Sequence, residues 1–139
     1  MALRIRSVDY FNVNVKDQPG EAYKLLALFA ARGINLLAFT AIPAGTDRAQ
    51  LTIYPEDPQL LSVEMRKAGL ELEGPHPALL VQGDDELGAH TEIHRKLYDA
   101  GVNVYATSGV ADGRGGFGYV VHVQPDNFQK AAQTLDVRP

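Results

Sequence analysis

The stretch Ala31-Arg32-Gly33-Ile34-Asn35-Leu36 decides the fold, because it returns 68 residues later as Asp99-Ala100-Gly101-Val102-Asn103-Val104. Further along, Tyr54-Pro55-Glu56-Asp57 returns as Gln124-Pro125-Asp126-Asn127, now displaced by 70 residues. Two extra residues in a loop of the second copy account for the change of spacing. A period this long indicates one small domain that has been duplicated, and not a solenoid repeat. The function must therefore be one that a pair of small modules can carry.

Composition limits the classes of protein to which the chain can belong. The 139 residues, 45% hydrophobic and 22% charged, are typical of a globular protein with one ordinary domain or two minimal ones. The formal net charge is −4 with no basic stripe, so nucleic acid is not an expected partner. Cysteine is absent, which excludes disulfides and thiolate chemistry.

No apolar run approaches the length of a membrane span, and the first residues lack a signal peptide's apolar core. These two features predict a cytoplasmic protein with no membrane partner.

Hydrophobic periodicity predicts the same element order in both copies. In the first copy it predicts strands at 8–15, 36–42, 49–54 and 70–73, with helices at 21–32 and 58–68. In the second copy it predicts strands at 78–82, 103–110 and 119–123, with helices at 88–100 and 127–135. A last strand of the second copy has only residues 136–138 available.

Two prolines and a glycine in Gly74-Pro75-His76-Pro77 predict a linker, because neither a helix nor a strand continues readily through them. The predicted modules are residues 1–74 and 75–139. Each has the order β-α-β-β-α-β, which predicts an α+β fold of two ferredoxin-like modules. Each module would have an antiparallel sheet with both helices on one face. About 70 residues bury little core, so the copies should stabilise each other.

Asp17-Gln18-Pro19-Gly20 at the first strand–helix turn, followed by Gly33-Ile34-Asn35-Leu36 entering the second strand, resembles the ACT domain. The resemblance covers most of residues 8–72 and, less closely, residues 78–135, so the chain is similar to a tandem ACT protein. It implies a small-molecule sensor, most often of amino acids, whose modules pair side by side. The ligand would lie between the first loop of one module and the second strand of its neighbour.

The resemblance implies a ligand-binding set that comes from both copies. In the first copy these residues are Asp17, Gln18, Pro19, Gly20, Glu21, Ile34, Asn35 and Leu36. In the second copy they are Asp85, Leu87, Gly88, His90, Val102 and Asn103.

The residue types of the first loop suit an amino-acid zwitterion. The helix start at Gly20 and Glu21 offers backbone N–H groups and a positive dipole end to a carboxylate. Asn35 carries both a donor and an acceptor, although a local hydrogen bond that ties the turn is an equally good role for it. Asp17 can accept from an ammonium or cap the helix.

The second loop departs from the ACT pattern. Leu87 stands in place of the proline, and Asp84-Asp85-Glu86 places three carboxylates before Gly88. These acids either complement the helix dipole or select a cationic ligand. The second loop therefore need not bind the same ligand as the first.

Three other groups of residues have spacings or compositions typical of functional sites, but their sequence context disfavours those functions. His90 and His94 have a metal-ligand spacing, but no third ligand is apparent, and a pocket-wall role suits His90 better. The glycine-rich residues 113–118 join two predicted strands, which favours a hairpin over a phosphate loop. Ser108 and His122 are predicted to be strand residues, not catalysts.

The sequence therefore predicts a sensor without cofactor, metal or catalytic residues, and not an enzyme. The expected assembly is a homodimer, and any enzyme that it regulates would be a separate chain. Two other classes stay open: a structural assembly module without ligand, and a small enzyme on a ferredoxin-like scaffold.

Overall fold

A computed structural model of the chain describes residues 3–84 and 88–137. The strands of this part are β1 (Arg4–Lys16), β2 (Leu36–Pro43), β3 (Arg48–Pro55), β4 (Glu73–Asp84), β5 (Val104–Ala111) and β6 (Gly116–Val123). The helices are α1 (Glu21–Ala31), α2 (Pro58–Lys67), α3 (Ala89–Asp99) and α4 (Phe128–Thr134), the last preceded by a short 3-10 helix, Pro125–Asn127. The predicted fold class, α+β with ferredoxin-like modules of the ACT type, is confirmed.

The described residues divide into two compact units. We call residues 9–76 the internal unit, and residues 3–8 together with 77–137 the terminal unit. Strands β1 and β4 each contribute a segment to both units. Residues 4–8 of β1 belong to the terminal unit, and residues 73–76 of β4 belong to the internal unit.

The internal unit has the strand order β2-β3-β1-β4, with antiparallel pairing of β3 to both β1 and β2. This is the order of a ferredoxin-like β-α-β-β-α-β unit. Its core is built from alternate strand residues and one face of each helix. The buried members of that core are Phe11, Leu25, Phe29, Ile34, Leu51, Ile53, Leu61 and Met65.

The terminal unit has the equivalent order β1-β4-β6-β5, with antiparallel pairing of β6 to both β4 and β5. The helix residues Ile93 and Leu97 are buried in its core. Leu3 and Ile5, which come from the start of the chain, pack against that same core.

Residues 74–77 do not form the predicted linker, because they lie inside the continuous strand β4. The division between the two units falls within this segment, between His76 and Pro77. Pro75 and Pro77 are two residues apart, so their missing N–H groups fall on the same edge of the strand. The pairing of β4 with β6 begins only at Leu79. A strand tolerates proline where no ladder bond is required of its N–H group.

A last strand after α4 is also not present in the part of the chain that the structure describes, where residues 135–137 follow the helix without strand structure. Residues 4–8 of β1 supply the fourth strand of the terminal unit instead. The strand that the second copy lacks therefore comes from the other end of the chain.

Candidate functional site

The first predicted loop, residues 17–20, leaves β1 and enters α1 in an exposed bend. Gly20 has φ 90° and occupies the N-cap position, where no side chain caps the helix. The Asp17 N–H donates to the Asp47 carbonyl at 2.9 Å, which anchors the loop to the β2–β3 turn. Gln18 Nε2 donates to Glu21 Oε1 at 2.7 Å. Pro19 is exposed in the same loop.

The start of α1 has the character of an anion site. Among the residues that the structure describes, the backbone N–H groups of Ala22 and Tyr23 have no hydrogen-bond partner. Unpaired N–H groups at a helix N-terminus carry partial positive charge and attract a carboxylate or phosphate. Asp17 does not make a capping hydrogen bond to this helix, so its carboxylate stays available at the exposed loop.

The second predicted segment, Ile34-Asn35-Leu36, begins β2. Ile34 is buried in the core of the internal unit, while Asn35 is exposed. Asn35 Nδ2 donates to Glu56 Oε2 at 2.7 Å, and the Asn35 carbonyl accepts from the Glu56 N–H at 2.9 Å. Asn35 therefore ties β2 to the end of β3, and Glu56 is a neighbour that sequence reasoning missed.

The two predicted segments lie at opposite ends of α1. Gly20 precedes the helix and Asn35 follows it, and a helix of 11 residues is about 16 Å long. The structure thus does not bring Gly20 and Asn35 together within the internal unit. A ligand that contacts both kinds of residue must take each of them from a different module.

The corresponding residues of the terminal unit repeat this geometry. Gly88 has φ 81° at the N-cap of α3, again without a side-chain cap. Val102 is buried and Asn103 is exposed at the start of β5. Asp85 and Leu87 lie outside the described residues.

His90 lies against an aromatic cluster that sequence reasoning did not find. Its ring centroid is 4.0 Å from that of Tyr119 and 4.8 Å from that of Phe117, and His94 also stacks on Tyr119 at 6.1 Å. One feature of the sequence could have indicated this cluster. His90 and His94 are four residues apart on α3, and the aromatic residues Phe117 and Tyr119 alternate on β6. His90 is therefore an exposed residue that packs on buried aromatic rings of the terminal unit, two positions after Gly88.

Tyr119, like Phe117, is a buried member of this cluster. It is 3% exposed, and its hydroxyl has no hydrogen-bond partner among the described residues. Burial raises the pKa of Tyr119 to about 12, so the phenol stays neutral at physiological pH. The Tyr119 ring therefore gives His90 and His94 a neutral surface to pack against.

A polar cavity of about 390 Å³ in the internal unit was also not predicted. Its lining includes Asn12, Gln50 and Glu73. Asn12 Oδ1 accepts from Gln50 Nε2 at 3.2 Å and from Thr52 Oγ1 at 2.8 Å, which fixes the orientation of the amide. None of the predicted ligand-binding residues that the structure describes lines this cavity.

His122 provides a pH-dependent contribution to stability. Burial lowers the pKa of His122 below its ordinary 6.5, so the unfolded chain binds the proton more readily than the folded chain. The resulting stability is complete above about pH 6.5 and is lost as the pH falls through the folded pKa.

Urea unfolding at pH 8 and pH 5 should give a smaller free energy of unfolding at pH 5. His122→Phe should reduce that difference, whereas His90→Gln, on an exposed residue, should preserve it. An unchanged difference in His122→Phe contradicts the assignment.

The two units and their uncapped glycine-led helices define an α+β protein with the ACT-type fold. Protein BT0572 from Bacteroides thetaiotaomicron has the same fold, with a TM-score of 0.80 and 15% identity over 95% of this chain and 88% of that one. The ligand-free regulatory subunit of aspartate kinase from Thermus thermophilus matches with a TM-score of 0.62 and 16% identity over 97% and 93%. The regulatory subunit from Thermus flavus gives 0.57 and 17% over 97% and 94%. No protein-family model and no curated protein matches the sequence.

None of the helices in the described ranges combines the length and the apolar character that a membrane span requires.

Proposed function

We propose that this protein is a regulatory sensor that binds a small molecule, and that the molecule is an amino acid. The observation that carries the proposal is the start of α1, where Gly20 in a left-handed conformation leaves the N–H groups of Ala22 and Tyr23 without described partners. An α-carboxylate suits these donors. The fold gives further support, because two solved structures that share it are named as regulatory subunits of aspartate kinase.

The rest of the ligand would be held by a second module. Asn35 and Glu56 lie at the far end of α1, where an amide oxygen and a carboxylate can accept from an ammonium group. Because one unit cannot present both ends to one ligand, we propose that modules pair in a homodimer. A ligand that contacts both modules binds the paired arrangement more tightly, and this difference in affinity shifts the equilibrium toward pairing. This change in pairing would regulate a separate enzyme in the cytoplasm, as the sequence predicts.

A structural module without ligand is the second candidate, and the Asn35–Glu56 hydrogen bond favours it. That bond gives Asn35 a role in joining β2 to β3 that requires no ligand. The two candidates differ in their response to added metabolites, since only the sensor is stabilised by them.

A thermal-shift screen of the full chain against the twenty amino acids tests the proposal. A ligand at about 100 times its Kd adds about 2.7 kcal/mol to the free energy of unfolding, which is a readily measured shift in Tm. Gly20→Ala should abolish the shift, because the added side chain strains a backbone with φ 90° at the binding loop. Gly45→Ala is the matched control, since Gly45 also has φ 90° and open space around it, but lies in the β2–β3 turn.

The expected result is a shift with one amino acid or one group of related amino acids, lost in Gly20→Ala and kept in Gly45→Ala. The absence of a shift with every amino acid at several millimolar would favour the structural module. Equal loss of the shift in both variants would mean that general strain, and not the loop, explains the effect.

A further inference from the structure

A second cavity, of about 540 Å³, lies beside α4 in the terminal unit. Its volume is within the range of about 300–1,000 Å³ that small-molecule sites usually have. No residue proposed above as a ligand contact lines it. The cavity is therefore a separate candidate site, and its occupancy does not depend on the amino-acid proposal.

Helix α4 builds one side of the cavity with two parallel rows of side chains. Phe128 and Ala132 form one row, while Gln129 and Gln133 form the other. Residues four apart lie on the same helix face, so the apolar row and the amide row run side by side. Ala131 is fully buried toward the core, which fixes the rotation of the helix and leaves these two rows facing the cavity.

The remaining walls are rigid and mostly apolar. They comprise Pro77 from β4, Pro125 from the 3-10 helix, Val137 after α4 and one polar residue, Ser7 from β1. Proline rings and the Phe128 ring present flat surfaces that lose little conformational freedom on binding. Such walls favour a planar ligand over a flexible chain.

Among the described residues, the lining of the cavity carries no charge. None of those that form it is Asp, Glu, Lys, Arg or His. A charged ligand would lose hydration here without gaining an opposite charge, which is costly. The lining therefore selects a ligand that is neutral at physiological pH.

The two glutamines supply the polar recognition. Neither side-chain amide has a hydrogen-bond partner within the described ranges, and each carries both a donor and an acceptor. Glutamine amides pair with the adjacent donor and acceptor groups on the edge of a heterocycle, as they do with adenine in nucleic-acid recognition. We propose that this cavity binds an uncharged planar heterocycle, of the class of a free nucleobase or a pyridine carboxamide.

Titration of the full chain with three small probes tests this proposal. Nicotinamide and adenine are neutral planar heterocycles, whereas nicotinate has the nicotinamide ring with a carboxylate. Isothermal titration or NMR should give a Kd between about 10 µM and 1 mM for at least one neutral probe, as expected for ligands of this size. Nicotinate should bind at least about tenfold more weakly than nicotinamide if nicotinamide is bound.

Three variants locate the binding. Gln129→Ala combined with Gln133→Ala should weaken binding by about tenfold, because two hydrogen bonds are lost. Ala132→Trp should abolish binding by filling the space. Gln124→Ala is the matched control, since Gln124 is an exposed glutamine that does not line the cavity, and it should bind like the parent.

The proposal is overturned if neither neutral probe binds at 5 mM, if nicotinate binds as well as nicotinamide, or if the double glutamine variant binds like the parent. Gly20→Ala should leave binding of the neutral probe unchanged. A failure of the amino-acid screen thus remains distinguishable from a failure at this cavity.

Discussion

Removal of residues 1–8 is expected to unfold the terminal unit, although these residues are far in sequence from the rest of it. Residues 4–8 supply its fourth strand, and Leu3 and Ile5 pack against its core. Val8 is also buried, at 8% exposure. Full burial of an apolar side chain contributes about 1.5–3 kcal/mol, and Leu3 and Ile5 are partly buried. Together with the lost pairing of this strand to β4, their removal takes away a large part of the stability of a small domain, which is about 5–15 kcal/mol.

Hydrogen exchange followed by NMR checks this prediction strand by strand. In the truncated chain, amide protection should be lost first and most in β6, and it should be better kept in β3 of the internal unit. A milder variant, Leu3→Ala with Ile5→Ala, should lower the free energy of unfolding by about 2–4 kcal/mol. Arg4→Ala with Arg6→Ala is the matched control, because both arginines are exposed on the same strand segment. Equal protection of β6 in truncated and parent chains would falsify the assignment of residues 4–8 to the terminal unit.

Gly109→Ala is expected to destabilise the terminal unit by about 1–3 kcal/mol, the usual cost of an overpacked site. Gly109 on β5 pairs directly with Tyr119 on β6. A Cβ atom at residue 109 would overlap the Cβ of Tyr119 and lie 3.1 Å from the Gly118 carbonyl oxygen. Since Tyr119 is buried and packed in the core, its backbone and ring cannot move aside freely.

Gly118→Ala provides the control for this substitution. Gly118 is a strand glycine only one residue from Tyr119, but a Cβ atom there would meet only Gln82 and the Val81 carbonyl at 3.6 and 3.8 Å, which is ordinary contact. Urea unfolding should therefore show a clear loss of stability in Gly109→Ala and little change in Gly118→Ala. Equal effects in the two variants would show that the loss of glycine in a strand, and not the overlap with Tyr119, sets the cost.

Local patterns predicted the elements and their order well. Gly20, Gly33, Gly88 and Gly101 all have positive φ, as expected for residues that begin or end helices. The four predicted helices all form, within a few residues of their predicted bounds. These features depend on residues within one or two turns of chain, which is the range over which sequence patterns are informative.

Long-range pairing could not be predicted in this way. The local effect of Pro75 and Pro77 indicated a break, but the ladder that fixes β4 involves strands distant in sequence. The fourth strand of the terminal unit lies more than 60 residues before the rest of that unit. No periodicity near residue 136 could show that the missing strand is at the start of the chain.

Only the local features of the candidate site could be predicted, because contacts between distant elements leave no short-range pattern in the sequence. The glycine-led loops are local features, and their geometry agrees with the prediction. The contacts of Asn35 with Glu56 and of His90 with Tyr119 join distant elements. No residue spacing indicated the first contact, and the spacing of His90 and His94 does not show which strand lies opposite them. Ligand binding by the predicted residues stays a prediction, which the variants at Gly20 and Gly45 address.

The interleaving of β1 and β4 has a practical consequence for dissecting this protein. Residues 9–76 form one uninterrupted piece of chain that contains all four of their own strands. The other unit is encoded in two pieces, and a cut at residues 74–77 would separate them permanently. An isolated version of it should be designed by splicing residue 8 to residue 77, or by moving the first strand to the C-terminus through circular permutation.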